Sequence, residues 1–157
     1  VKSLFMNKKK WEIKDLSPSE TLAGASKKVL SVRLIDLLSS IKLYFENETE
    51  EKLHNTRIAV RRLRYSMELF IECLDRKKFL SFYNRVQYIQ DLTGVVRDLD
   101  VLKQNMIILS TEEKVKVSRF LFEKIDEKRK KMNDNLKLEL MKFIHSKRLK
   151  DFYKIIS

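Results

Sequence analysis

Residues 50–74, EEKLHNTRIAVRRLRYSMELFIECL, decide the fold. Leu53, Val60, Leu63, Met67, Phe70 and Leu74 recur at steps of three, four and seven residues, which places them along one side of a helix. A helix with one apolar stripe and polar flanks needs a neighbour to cover the stripe, so the segment predicts a helical assembly. Asn47-Glu48-Thr49-Glu50 reads as the connection before it, with Thr49 as the helix cap.

The same pattern extends in both directions. Upstream, Leu30, Leu34, Leu37, Leu38, Ile41 and Phe45 form a second stripe. Ser17-Pro18-Ser19-Glu20 offers its start: a capping hydroxyl, a proline in the first turn and a glutamate able to reach back. Downstream, a third helix is expected over about residues 77–92, burying Leu80, Tyr83, Val86 and Ile89 and ended by Gly94 in a left-handed cap. A fourth should follow over about residues 95–109. Ser110-Thr111-Glu112-Glu113 then reads as the cap of a long segment reaching Ile144, with Val117, Leu121, Ile125, Met132, Leu136, Leu140 and Phe143 inside. A short last helix over residues 147–156 would lay Leu149, Phe152 and Ile156 on the rest. Short connections make neighbours antiparallel, and the expectation is an all-α, up-and-down bundle of long antiparallel helices.

Composition narrows the alternatives. Two glycines and one proline in 157 residues cannot supply the turns of a sandwich or barrel. With 43% hydrophobic residues the length suits one core, hence one domain over residues 17–157 preceded by a loosely attached basic arm, residues 1–16, carrying Lys8, Lys9, Lys10 and Trp11. The lone Cys73 forms no internal disulfide, no Cys/His spacing suits a metal, and Cys73 is read as a small buried hydrophobe. No apolar run approaches the ~18–20 residues of a membrane span, so a soluble, cytoplasmic protein is expected.

Charge supplies the functional signal. Lysine plus arginine number 34 against 22 acids, a net charge of +12. Between Glu51 and Glu68 there is no acid, yet that span holds Lys52, His54, Arg57, Arg61, Arg62 and Arg64. At 100° per residue, His54, Arg57, Arg61 and Arg64 fall within about 80° of one another, beside the apolar stripe. Like charges at this spacing cost a few tenths of a kcal/mol per pair, so the face is either simply solvated or built for an anion. Four arginines stand against one lysine in that span, whereas lysine dominates the chain as a whole. A guanidinium grips phosphate oxygens in a fork, and an ammonium acts as a point charge.

Two further clusters bear on the same reading. Within Arg97-Asp98-Leu99-Asp100, Asp98 is read as a structural charge near a helix start. Asp100 is a candidate to orient Arg97 or an arginine of the stripe. In the cluster Lys124, Lys128, Arg129, Lys130, Lys131, most side chains should be solvated. Lys128 and Lys131 are the ones expected to face a groove, Lys128 at an inner-stripe position. His145, at a helix end, is read as a dipole partner, and His54 as a hydrogen-bond donor to an anion or a packed side chain.

The string HNTRIAVRRLRYSMELF (residues 54–70), followed by TGVVRDLDVL (residues 93–102), resembles the CHAD family, helical domains named for a histidine and associated with inorganic polyphosphate. In that family a His-x-x-Arg-x-x-x-Arg-Arg-x-Arg helix precedes a Gly-x-x-Arg-Asp-x-Asp segment. The match falls on His54, Arg57, Arg61, Arg62 and Arg64, then on Gly94, Arg97, Asp98 and Asp100. The likeness extends more loosely over most of residues 18–157. It implies non-catalytic binding of polyphosphate in a basic groove, with no cofactor, and association with polyphosphate granules and polyphosphate-associated proteins. Family members usually hold two such halves related by approximate two-fold symmetry, and this chain carries the first alone. One half of a CHAD domain is therefore implied, whether as a fragment, a self-sufficient half-site or a homodimer that restores the paired basic surfaces.

A linear phosphate polymer also suits the geometry, since His54 to Arg64 rises about 15 Å along the helix at ~1.5 Å per residue. The expected site is His54, Arg57, Arg61, Arg62, Arg64 and Arg97, flanked by Lys27, Lys128 and Lys131. The alternatives are a nucleic-acid-binding helical domain, drawn to the backbone by the same charge, and a basic module that docks an acidic protein. No phosphate loop, catalytic triad or carboxylate cluster for magnesium is visible, so neither a catalytic residue nor a metal site is assigned.

Overall fold

Hydroxyl caps and apolar stripes set the helices. The computed structural model describes residues 13, 16–74 and 76–157. Helix α1 (Leu22–Glu46) starts at Thr21, whose side chain accepts from the Gly24 N–H at 3.2 Å. The start lies four residues beyond the Ser17 cap the sequence suggests. Ser17 is instead occupied within its own turn by Ser19, and the Glu20 carboxylate turns to Lys28 at 3.0 Å. Helix α2 (Glu50–Leu69) has the anticipated cap, with Thr49 accepting from the Lys52 N–H at 3.2 Å. It closes at Leu69, short of Leu74, in a single 3₁₀ turn, Ile71–Cys73. Cys73 is half-buried against the core.

Helix α3 (Arg76–Thr111) merges the two helices expected on either side of Gly94. Gly94 has no positive φ and lies in mid-helix. One interior glycine costs a helix only ~1 kcal/mol, and the buried stripe Phe82, Val86, Ile89, Thr93, Val96 runs through it without a phase shift. At ~1.5 Å per residue α3 is about 54 Å long. The Ser110-Thr111 cap also fails, because the Thr111 hydroxyl donates back to the Ile107 carbonyl at 2.9 Å and finishes α3. Helix α4 (Arg119–Ile144) begins only after Ser118, and helix α5 (Lys147–Ile156) is capped by Ser146, which accepts from the Leu149 N–H at 3.1 Å.

The helices run up and down, as cross-links show. Glu50 meets Arg97 and Glu68 meets Tyr83, so α2 and α3 are antiparallel. Arg85–Glu139 and Asp100–Arg129 set α3 against α4 in the same way, and Lys27–Ser157 sets α1 against α5. All five helices feed one core, whose centre is an aromatic stack with Phe82 4.2 Å from Phe152 and 5.6 Å from Phe143 between ring centroids. On α3 the fully buried rings are Phe79 and Phe82, while Leu80 and Tyr83, expected inside, are half-buried. The basic arm expected over residues 1–16 falls almost wholly outside the described residues; Ile13, which is described, packs half-buried against the core.

Candidate anion-binding site

Helix α2 keeps Leu53, Val60, Leu63 and Met67 inside, which fixes where its cations emerge. Arg57, Arg61 and Arg64 emerge on the shoulder facing α3. Between the Glu50–Arg97 and Glu68–Tyr83 cross-links, the antiparallel register lays these arginines along the stretch of α3 that carries Gln87, Gln90 and Gly94. A Cβ built on Gly94 would meet nothing within 4 Å, so α3 borders open space at this level. The α2–α3 face, here the trough, thus carries guanidiniums along its α2 side, with open space beside Gly94.

The trough has paired ends and an unpaired middle. At one end Arg97 meets Glu50 at 3.3 Å; at the other Arg64 meets Glu68 at 3.2 Å and lies over the Tyr65 ring, 5.0 Å from its centroid. Between them, half-buried Arg57 and exposed Arg61 have no carboxylate within 4.0 Å among the described residues. Both carboxylates at the ends are themselves half-exposed.

The rest of the motif lies elsewhere. Arg62 emerges on the opposite shoulder of α2 and, with His54, lines a cleft of about 530 Å³ against α1, where Arg33 pairs with Asp36 at 3.5 Å. The arginine string is therefore split across the crest of α2 rather than gathered in one rail. Lys27, expected as a flank, belongs to the far end of α1 and donates to the Ser157 backbone carbonyl at 3.0 Å. Lys128 and Lys131 are exposed on α4, with α3 standing between that helix and α2, so they do not join the trough.

The inner position expected for Lys128 is held by Arg129, because the stripe of α4 passes from Ile125 to Arg129 and on to Asn133 and Leu136 at four- and three-residue steps. Arg129 Nε donates to Asp100 Oδ1 at 2.7 Å. Asp100 thus orients an arginine of α4, and neither Arg97 nor the α2 string. Its side chain is 3% exposed, and Oδ2 is buried without a hydrogen-bond partner. The Asp100 hydrogen bond holds the Arg129 guanidinium above its ordinary pKa, against the opposing effect of burial. Asp98 is exposed in mid-helix, so the dipole role read from a helix start does not apply.

Beside this pair the Tyr44 hydroxyl donates to Asn133 Oδ1, Asn133 Nδ2 donates to Glu48 at 3.2 Å, and Lys137 donates to Glu48 at 3.1 Å. Burial first, then the Glu48 charge, raises the Tyr44 pKa. Further along the seam, Arg85 donates to Glu139 at 2.7 Å, and Lys142 reaches the other oxygen of the same carboxylate at 2.7 Å. These groups lock α1, α3 and α4 together, and their charges are answered from within. Among the described residues no three His, Cys, Asp or Glu side chains assemble as a metal site.

A family model described as CHAD domain matches residues 6–106 and 45–154. The stretch shared by the two matches contains α2, Gly94, Arg97 and Asp100. No curated protein and no solved structure matches the chain.

Proposed function

The chain belongs to the CHAD domain family, and on that premise we propose that it binds inorganic polyphosphate, without catalysing a reaction, along the trough between α2 and α3. The observation that carries the proposal is the pair Arg57 and Arg61, one turn apart along α2, the first half-buried and the second exposed, with no carboxylate within 4.0 Å among the described residues. Along the α3–α4 seam, by contrast, the half-buried arginines are matched: Arg85 by Glu139 and Arg129 by Asp100. Unmatched guanidiniums bordering open space are suited to an external anion.

Arg64 and Arg97 join on binding. Exposed ion pairs contribute only ~0–1 kcal/mol, so a polymer with a charge on every phosphate draws these two guanidiniums from Glu68 and Glu50 at small cost. Binding releases counterions and weakens steeply with salt. Selectivity comes from charge density and from the width of this face. The reading places the protein beside polyphosphate stores and the proteins that accompany them; among the described residues no helix is long and apolar enough to cross a membrane.

The test is competition between long-chain polyphosphate and duplex DNA at matched phosphate concentration and fixed salt. Polyphosphate should displace DNA. Equal or stronger binding of DNA would favour a nucleic-acid module, and failure to bind either would favour docking of an acidic protein. Arg61→Glu should weaken polyphosphate binding far more than Lys9→Glu; equal losses would mean that the attraction is diffuse.

A further inference from the structure

Beyond the turn that joins α1 to α2, the α3–α4 pair continues alone. Gln104, which donates to Glu50 at 2.8 Å, is the last residue of α3 with a hydrogen bond to α2 among the described residues, and Lys103–Asp126 at 2.6 Å marks the same level of the hairpin. Another seven residues take α3 to Thr111, a projection of about 10 Å at ~1.5 Å per residue. The core-facing stripes do not stop where the covering helices stop. On α3 the stripe that buries Val96 and Asp100 continues in phase to Ile107, which is 45% exposed. On α4 the stripe through Ile125 continues to Leu121, which is 47% exposed although the sequence puts it inside. Ile108 and Phe120, 45% and 64% exposed, widen the same bare end.

We propose that this end of the α3–α4 hairpin is where a second copy of the chain docks, with two tips packed about a two-fold axis as a four-helix layer. Three observations select a second copy. The uncovered face continues the surface on which the chain buries its own core, so its natural cover is a pair of helices with a matching apolar face, and the tip is such a pair. From Gln104 to Thr111 α3 carries no ionisable residue, and at the start of α4 Arg119 is paired with Glu123 at 3.0 Å, so in a chain that carries +12 overall this end adds little repulsion between two copies. The turn beyond it carries Glu112 and Glu113 followed by Lys114 and Lys116, exposed and without ion-pair partners among the described residues. Acid and base side by side are self-complementary across a two-fold axis, because each contact is made twice.

The inference does not rest on polyphosphate binding, and salt separates the two. Association of two highly positive copies through an apolar face strengthens as salt screens their repulsion from ~0.05 to ~0.3 M, whereas polyanion binding weakens over that range. Sedimentation velocity of the full chain at the higher salt should show a concentration-dependent monomer–dimer equilibrium. Ile107→Glu with Leu121→Glu should raise the dissociation constant by at least about tenfold, with helical circular dichroism unchanged. Phe120→Glu, at a still more exposed position, should act in the same direction should the double variant lose helicity. Ile35→Glu, 53% exposed on α1, should leave the equilibrium as in the parent. A parent that is monomeric at every concentration would overturn the proposal. So would a dimer indifferent to the tip variants, or a dimer that forms only after residues 1–12 are removed, since that would make the arm the cover.

Discussion

Arginines border α3 on two sides, and the two sides treat them differently. Along the α3–α4 seam Arg85 and Arg129 each meet a carboxylate of the facing helix at 2.7 Å, and Asp100 is all but inaccessible. Along the α2–α3 trough Arg57 and Arg61 meet none among the described residues, and the acids that answer Arg64 and Arg97 are half-exposed. The same residue type closes one interface and leaves the other open. The seam's charges are answered within the bundle; those of Arg57 and Arg61 are not answered among the described residues, and the proposed polyphosphate binding uses that difference.

That contrast predicts separable effects. The largest should come from Arg129→Ala, which strands the Asp100 carboxylate without a donor to either oxygen; breaking a buried pair in this way costs about 3 kcal/mol. Urea unfolding should show that loss, while the folded fraction binds polyphosphate as before. Next, Arg57→Gln with Arg61→Gln should leave stability within ~0.5 kcal/mol of the parent. The same pair should lower polyphosphate affinity by about 2 kcal/mol, roughly thirtyfold, by titration at low salt. Gly94→Ala gives a smaller change of opposite sign. With open space around the added Cβ and an ordinary helical φ, thermal unfolding should rise by the equivalent of up to ~1 kcal/mol.

The smallest effect concerns acid. Glu139 is held below the usual carboxylate range by hydrogen bonds from Lys142 first and Arg85 second. Its contribution is therefore fully present above the unfolded value of ~4.3 and is lost as pH falls through the lowered folded value. Glu139→Gln should flatten the acid limb of a stability–pH curve, with no counterpart when trough arginines are replaced.

Much of the fold is legible in the sequence wherever a stripe and a cap agree. Thr49 followed by Leu53, Val60 and Leu63 gives α2, and Ser146 followed by Leu149, Phe152 and Ile156 matches α5. Legibility fails where a punctuating residue and a continuous stripe conflict. Gly94 and Ser110-Thr111 look like boundaries, yet the apolar phase runs past both, and packing along the stripe outweighs the local preference of one residue. At the site, spacing along α2 places Arg57, Arg61 and Arg64 on one shoulder, which one helix suffices to specify. It cannot show that α1 draws His54 and Arg62 into a different cleft, or that α3 shields Lys128 and Lys131 from the trough, because those depend on neighbours. Arg85 and Glu139 were open to reading: each borders an apolar stripe on helices that must pack, and their charges are opposite.

The measurement closest to the central claim is the salt dependence of polyphosphate affinity, parent against Arg57→Gln/Arg61→Gln. If these two guanidiniums contact phosphates directly, the slope of log affinity against log salt should become shallower by about one to two, roughly one released counterion per lost contact. An unchanged slope, with affinity equal to the parent's at every salt, would contradict the trough as the binding site.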